Sequence, residues 1–222
     1  MTPSQVYLKD FSKILIGNKI DSVSLSKLVQ SGNLKIPRTT AIFNMSSAHN
    51  CPSYRLGLCK VFNKKGKHVC YALRAENSMR KHVYPFRERQ KEYWLSCLAE
   101  QFVSEFLIIN SLKMKPWDSL RFNEAGDFHT QDCVTKAELI ASLLSKFGIK
   151  VYCYTSRSDL DFSNLKNLIV YGSGFTKNGI SGEFLMVHDL NDRPKGYGIC
   201  PKNCRICSRC KVKGLKTVVK MH

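Results

Sequence analysis

The C-terminal stretch Cys200-Pro-Lys-Asn-Cys204-Arg-Ile-Cys207-Ser-Arg-Cys210 places four thiols within eleven residues, at the spacing C-x3-C-x2-C-x2-C. A segment this short can wind once and turn all four sulfurs toward a single metal centre. Read from its C-terminal end, the spacing is the C-x2-C-x2-C-x3-C run of bacterial ferredoxins, in which the fourth cysteine serves the other cluster. Zinc usually takes four ligands as two separated pairs. The contiguous tetrad therefore points first to an iron–sulfur cluster and second to zinc. Four unrelated core thiols would fit poorly in so polar a segment.

Cys51, Cys59 and Cys70 form a looser group, C-x7-C-x10-C, in a chain with ten cysteines, where wide gaps also arise by chance. Their position gives them weight, because all three follow the first candidate strand. Three thiolates can hold three irons of a four-iron cluster and leave the fourth iron open to a ligand. Cys97 and Cys153 lie among apolar neighbours and are expected in the core. Cys133 can be read either way.

Asp127, before Phe128 and His129, can orient a substrate, accept a cofactor amine or move a proton, although a strand-end Gly-Asp is also a common turn. Arg121, on the same strand, can pair with an acid in the barrel mouth, and Arg157 and Asp159 pose the same question. Arg74, Arg80, Lys81, Arg87, Arg89 and Lys91, interleaved with His82, Tyr84 and Phe86, can bind a phosphate backbone with aromatic stacking, or simply form a solvated helix face. Lys211 to Lys220 would serve similarly as a basic tail. There is no glycine-rich phosphate loop and no nucleophile-elbow serine, so hydrolase and kinase chemistry have no support.

With 222 residues, 43% of them apolar, the chain can bury one α/β domain with an appendage. Met1 to Asp10 lacks a basic region followed by an apolar run, and no apolar stretch approaches the ~18 residues of a membrane span. A soluble, cytoplasmic protein is expected, without a membrane partner. In a reducing cytosol the thiols stay free to bind metal. Thirty-five basic residues against seventeen acidic ones give a formal charge of +18, which draws nucleic acid or another polyanion.

The elements that would position these groups follow from periodicity. Ser24 to Val29 reads as a short helix ending at Ser31-Gly32, and Ala41 to Met45 as a strand. Residues 51–70 read as a loop with a basic turn at Asn63. Trp94, Leu98, Phe102 and Phe106 recur four apart and predict one long helix from Gln90 to about Lys113. Ser119 to Asn123 reads as a strand. Thr135 and Glu138 suggest a capping box for a helix closed by Gly148. Strands follow at 149–154 and 167–171, and after Gly182 the pattern loosens.

Alternating strands and helices predict an α/β fold with a parallel sheet or barrel, whose strand ends collect the functional loops. Residues 1–195 would form this domain, with the three-cysteine loop at 51–70, and residues 196–222 a cysteine-rich, metal-binding and basic tail. Glu124, Gly126, Asp127, Thr155, Arg157 and Ser173 stand on those strand ends as candidate cofactor contacts.

Several separated segments, in order, resemble the phage and archaeal family called gene product 88. They are Asn50-Cys-Pro-Ser-Tyr-Arg-Leu-Gly-Leu-Cys-Lys-Val, Cys70-Tyr-Ala-Leu-Arg-Ala-Glu76, Tyr84 to Trp94, Leu120 to Phe128, Tyr152 to Arg157 with Asp159-Leu-Asp161, Gly172-Ser-Gly174, and the terminal Cys-Pro tetrad. The resemblance implies iron–sulfur ligation by both cysteine groups, and so two [4Fe-4S] clusters. The layout is also similar to the radical S-adenosylmethionine superfamily, which implies a partial (β/α) barrel. By that likeness Cys51, Cys59 and Cys70 would hold a site-differentiated cluster, and Glu124 to Asp127 would stand where the methionyl amine of S-adenosylmethionine binds. A redox protein or enzyme with a redox partner is the implied function. A zinc-stabilised nucleic-acid-binding protein is the alternative.

Overall fold

The computed structural model describes residues 24–59, 62 and 65–221. The N-terminal reading of residues 1–10 and the centre of the turn at Asn63 lie outside the described residues. Along the chain the elements are β1 (Gln30–Ser31), β2 (Thr40–Phe43), α1 (Pro52–Arg55), α2 (Tyr71–Ser78), α3 (Arg80–Ser96), α4 (Ala99–Ser111), β3 (Ser119–Phe122), α5 (Gln131–Ser145), β4 (Lys150–Thr155), β5 (Ile169–Ser173), β6 (Gly182–Val187), β7 (Gly198–Ile199) and β8 (Lys216–Lys220). No described helix is long and apolar enough to cross a membrane.

The strands form one eight-stranded sheet in the order β1-β2-β3-β4-β5-β6-β8-β7. All neighbours pair parallel except β1 and β2, so the fold is mixed α/β. The sheet is open, with β1 and β7 at its edges. From β2 to β5, each parallel strand lies beside the next in sequence, so all their C-terminal ends rise on the same side.

Register separates the two faces of the sheet, because side chains alternate along each strand. Phe43 pairs with Phe122 and Cys153 with Val170, and these residues pack with Trp94, Phe102, Phe106, Ile140 and Leu144 from the helices. The other parity places Ile42, Arg121, Tyr152 and Ile169 side by side. Tyr152, Ile169 and Tyr171 are covered by Tyr154, Phe184, Cys210 and Leu215. Helices thus seal one face, and the cysteine-bearing segment lies across the other.

Several expected elements differ. The long helix is two, α3 and α4, and α3 already begins at Arg80. Cys97 and Leu98 are extended, with ψ of 152° and 160°. Lys136 caps the break by donating to the freed carbonyls of Trp94 and Cys97. The four-residue apolar spacing ran across this joint because Leu98 happened to keep the period, yet Leu98 is 70% exposed.

Thr135 and Glu138 are not a capping box, since α5 starts at Gln131 after Thr130. Glu138 instead accepts the backbone N–H groups of Lys166, Asn167 and Leu168 at 3.1, 2.9 and 2.8 Å, which fixes the entry to β5. The first helix reduces to a 3-10 turn at Leu25–Lys27, and Gln30 and Ser31 form an edge strand. Past Gly182 the chain is not loose: β6 and β8 pair in parallel over five positions, and β7 pairs with β8. The residues from 196 onward therefore contribute two strands to the same sheet.

Candidate metal centre

Asp127 ties three strand ends together. It is buried, and both carboxylate oxygens are filled. Oδ2 accepts from the Ser53 hydroxyl at 2.6 Å and the Ser156 N–H at 2.8 Å, and Oδ1 accepts from the Thr155 hydroxyl at 2.7 Å and the Phe128 N–H at 2.9 Å. Burial pushes its carboxyl up from the usual range, and these donors pull it back. With two donors on each oxygen, little acceptor capacity is left for a ligand amine. Asp127 frames the site.

Gly126 has φ +77°, and a Cβ there would come within 2.3 Å of Ser46 Oγ. The turn after β3 can therefore lie against the chain after β2 only with glycine at this position. Glu124 accepts from Asn33 Nδ2, and its backbone carbonyl accepts from the Tyr71 hydroxyl at 2.6 Å. Its carboxylate lies 3.9 Å from Arg87. Thr155 is buried and also accepts the Arg157 N–H at 3.0 Å. Arg157 is committed to the frame, holding the carbonyls of Phe128 and His129 and clasping Asp159 through two 2.8 Å contacts. Ser173 stands at the end of β5, beside Phe184 of β6.

The three-cysteine loop occupies the C-terminal end of β2. Cys51 precedes α1, Cys70 precedes α2, and Ser53 within α1 is the residue bound to Asp127. Burial pushes the Cys51 thiol up to about 12, with the nearby Asp127 charge adding to the effect. Cys59 lies close enough to Cys51 to act in the same direction. Cys70 packs with Ala48, Ala72 and Ala125. Glu76 supports the loop from beneath, accepting the N–H groups of Ala48 and His49 at 2.7 and 3.2 Å and pairing with Arg87 at 2.7 Å. Arg87 is thus spent in a buried pair, not on a basic surface.

The tail thiols converge more fully. Cys200, Cys204, Cys207 and Cys210 line one small cavity together with Arg121, Tyr152, Tyr154 and Lys211. The segment is anchored at several points. Cys200 N–H donates to Val218 and Cys204 N–H to Lys35, while the Tyr171 hydroxyl reaches the carbonyls of Arg209 and Val212. Lys202, at φ +59°, turns its N–H back onto Cys200 Sγ at 3.4 Å. Burial pushes the Cys204 thiol up, while Arg121 and Lys211 pull it down. Burial does the same to Cys210, and a hydrogen bond from Tyr154 opposes it.

Among the described residues, no group of three or more His, Cys, Asp or Glu stands as one metal-holding set. By donor chemistry the tail cavity nevertheless fits a thiolate-ligated metal centre, since four thiols and two cations face it. The loop is less gathered: Cys51 and Cys59 are neighbours, while Cys70 packs beside a separate cluster. Cys97, Cys133 and Cys153 are buried in the main core, and Trp94 Nε1 donates to Cys133 Sγ at 3.3 Å. Sequence reading missed Ser53, Tyr152 and Tyr154 and took Lys211 only as the start of a basic tail, because their roles depend on register and on contacts distant in sequence.

No curated protein and no solved structure matches the chain. The family described as gene product 88 matches residues 17–193, which include the three-cysteine loop, the Asp127 frame and β2 to β6, while the tail tetrad follows the matched range. On that match over most of its length, the chain belongs to the gene product 88 family.

Proposed function

We propose that the protein is an iron–sulfur protein, with Cys200, Cys204, Cys207 and Cys210 holding one [4Fe-4S] cluster and the Cys51, Cys59 and Cys70 loop holding a second. The observation that carries this reading is the convergence of the four tail thiols on one cavity with Arg121 and Lys211. A thiolate-ligated iron cluster supplies single-electron transfer, and a three-cysteine cluster leaves one iron open to a ligand. Fully ligated, the tail centre suits structure or electron relay, and chemistry belongs to the loop.

The chain's own residues divide the work at the loop. Asp127, through Ser53, Thr155 and Ser156, fixes the loop against the ends of β3 and β4. Glu124, with a side chain 21% exposed, is the carboxylate of the same turn that can meet a cationic ligand such as the methionyl amine of S-adenosylmethionine. In this reading the open sheet is a partial (β/α) barrel, the protein works in the cytoplasm of the cell that makes it, and a redox partner exchanges electrons with the tail. Anaerobic purification tests it. A brown protein with matched iron and sulfide, bleached by dithionite, supports the proposal, and a colourless protein with stoichiometric zinc sinks it.

A second reading, a zinc-stabilised nucleic-acid-binding protein, draws on one specific feature. A groove beside α3 is lined by Lys81, His82, Phe86 and Arg89 and reaches Glu124. Lys81 and Arg89 are exposed and make no ion pair among the described residues. Cations beside an aromatic ring suit a single-stranded phosphate backbone.

A further inference from the structure

Arg121 occupies an unusual place for a cation. It lies on β3, with Ile42 and Tyr152 beside it in register, in the interior of the parallel sheet. Its neighbours Leu120 and Phe122 point into the helix-covered core, so Arg121 points to the face that the tail crosses. The guanidinium lies 5.2 Å from the Tyr154 ring centroid. Its Nε is buried without a hydrogen-bond partner, and no carboxylate closes an ion pair with it among the described residues. Arg121 is half-buried and feels Glu124 only at longer range, and a cation partly withdrawn from water is stabilised by an anion held beside it.

The groups that share its cavity are the four tail cysteines. Lys211 lines the same cavity, but its Nζ already lies 3.3 Å from Asp118 Oδ1 and 3.3 Å from Thr40 Oγ1. Arg121 is the cation left for the centre. Four thiolates around a metal or cluster carry net negative charge, which is the partner that Arg121 lacks. We propose that Arg121 is the counter-cation of the tail centre, a positioning residue that neutralises the thiolate charge and holds the loaded tail on the sheet. This inference rests on the reading of the tail as a metal centre, and it applies whether that metal is iron or zinc.

The test follows metal release from anaerobically purified protein to an excess of chelator, in wild type, Arg121→Met, Arg121→Lys and Cys204→Ala. Arg121→Met is expected to release tail metal about 10- to 100-fold faster than wild type, the range for loss of a group that supports ligands from behind, while Arg121→Lys keeps most of the retention. Unfolding of Arg121→Met is then compared in the wild-type and Cys204→Ala backgrounds. If Arg121 acts through the centre, its replacement destabilises the first and leaves the second unchanged. An equal loss in both backgrounds, or wild-type release from Arg121→Met, overturns the proposal while leaving the metal reading intact. Unchanged metal content in Cys204→Ala would instead reject the tail centre, and the proposal with it.

Discussion

The Ser53 hydroxyl donates to Asp127 Oδ2 at 2.6 Å across 74 residues of sequence. This contact joins the loop that follows β2 to the turn that follows β3, and it sits two residues from Cys51. Ser53→Ala leaves a buried carboxylate one donor short, which should cost about 1–3 kcal/mol. Denaturant unfolding measures that loss, and limited proteolysis should show earlier cleavage between residues 51 and 70. Wild-type stability with unchanged cleavage would mean that the loop is held elsewhere.

Gly126 and Gly174 offer a matched comparison, because both have φ +77°. A Cβ at 126 meets Ser46 Oγ at 2.3 Å, whereas one at 174 meets nothing within 4 Å. Both alanine variants bear the left-handed backbone cost of about 1–2 kcal/mol. Gly126→Ala should lose at least about 1 kcal/mol more from overpacking, read as a lower midpoint in thermal or chemical unfolding.

Glu76 is fully buried and paired with Arg87. Glu76→Gln removes the nearer of the two carboxylates at that guanidinium, leaving Glu124 at 3.9 Å, and should destabilise by up to about 3–5 kcal/mol, the range for breaking one side of a buried pair. Replacing both residues with apolar side chains should recover much of the loss, which a double-mutant cycle would show.

The Arg157 hydrogen bonds hold the Asp159 carboxyl below its ordinary range. A depressed carboxylate contributes stability that is present above its unfolded value and is lost as pH falls through the folded value. Unfolding midpoints followed from neutral to strongly acid pH should therefore fall more steeply in wild type than in Asp159→Asn. Parallel curves would remove this pair from the acid response.

The groove reading predicts salt-sensitive binding of single-stranded oligonucleotides. Lys81→Glu with Arg89→Glu should weaken it and reduce the salt slope by roughly two charges. Fluorescence anisotropy at several salt concentrations measures both, and unchanged affinity would remove the groove from the account.

The core strands β2 to β5 were legible as short apolar or alternating runs, two of which end at glycine-bearing turns, Glu124-Ala-Gly-Asp127 and Gly172-Ser-Gly174. β6 was not, since all six of its residues are only half-buried, and β8 was hidden in a lysine-rich segment that read as a basic tail. Both cysteine groups were visible as spacing. What spacing could not give was the side of the sheet that Arg121 faces, which needs the register with Ile42 and Tyr152. Nor could it show that Asp127 is saturated by Ser53, Thr155 and Ser156, contacts that only the folded chain creates.

The central claim is that two cysteine groups hold two iron–sulfur clusters. It is tested most directly by iron, sulfide and zinc content in anaerobically purified wild type, Cys51→Ala and Cys204→Ala. Two similar clusters predict loss of about half the iron and sulfide in each variant. Iron unchanged in Cys51→Ala would contradict the loop cluster, and stoichiometric zinc without iron in wild type would contradict the claim as a whole.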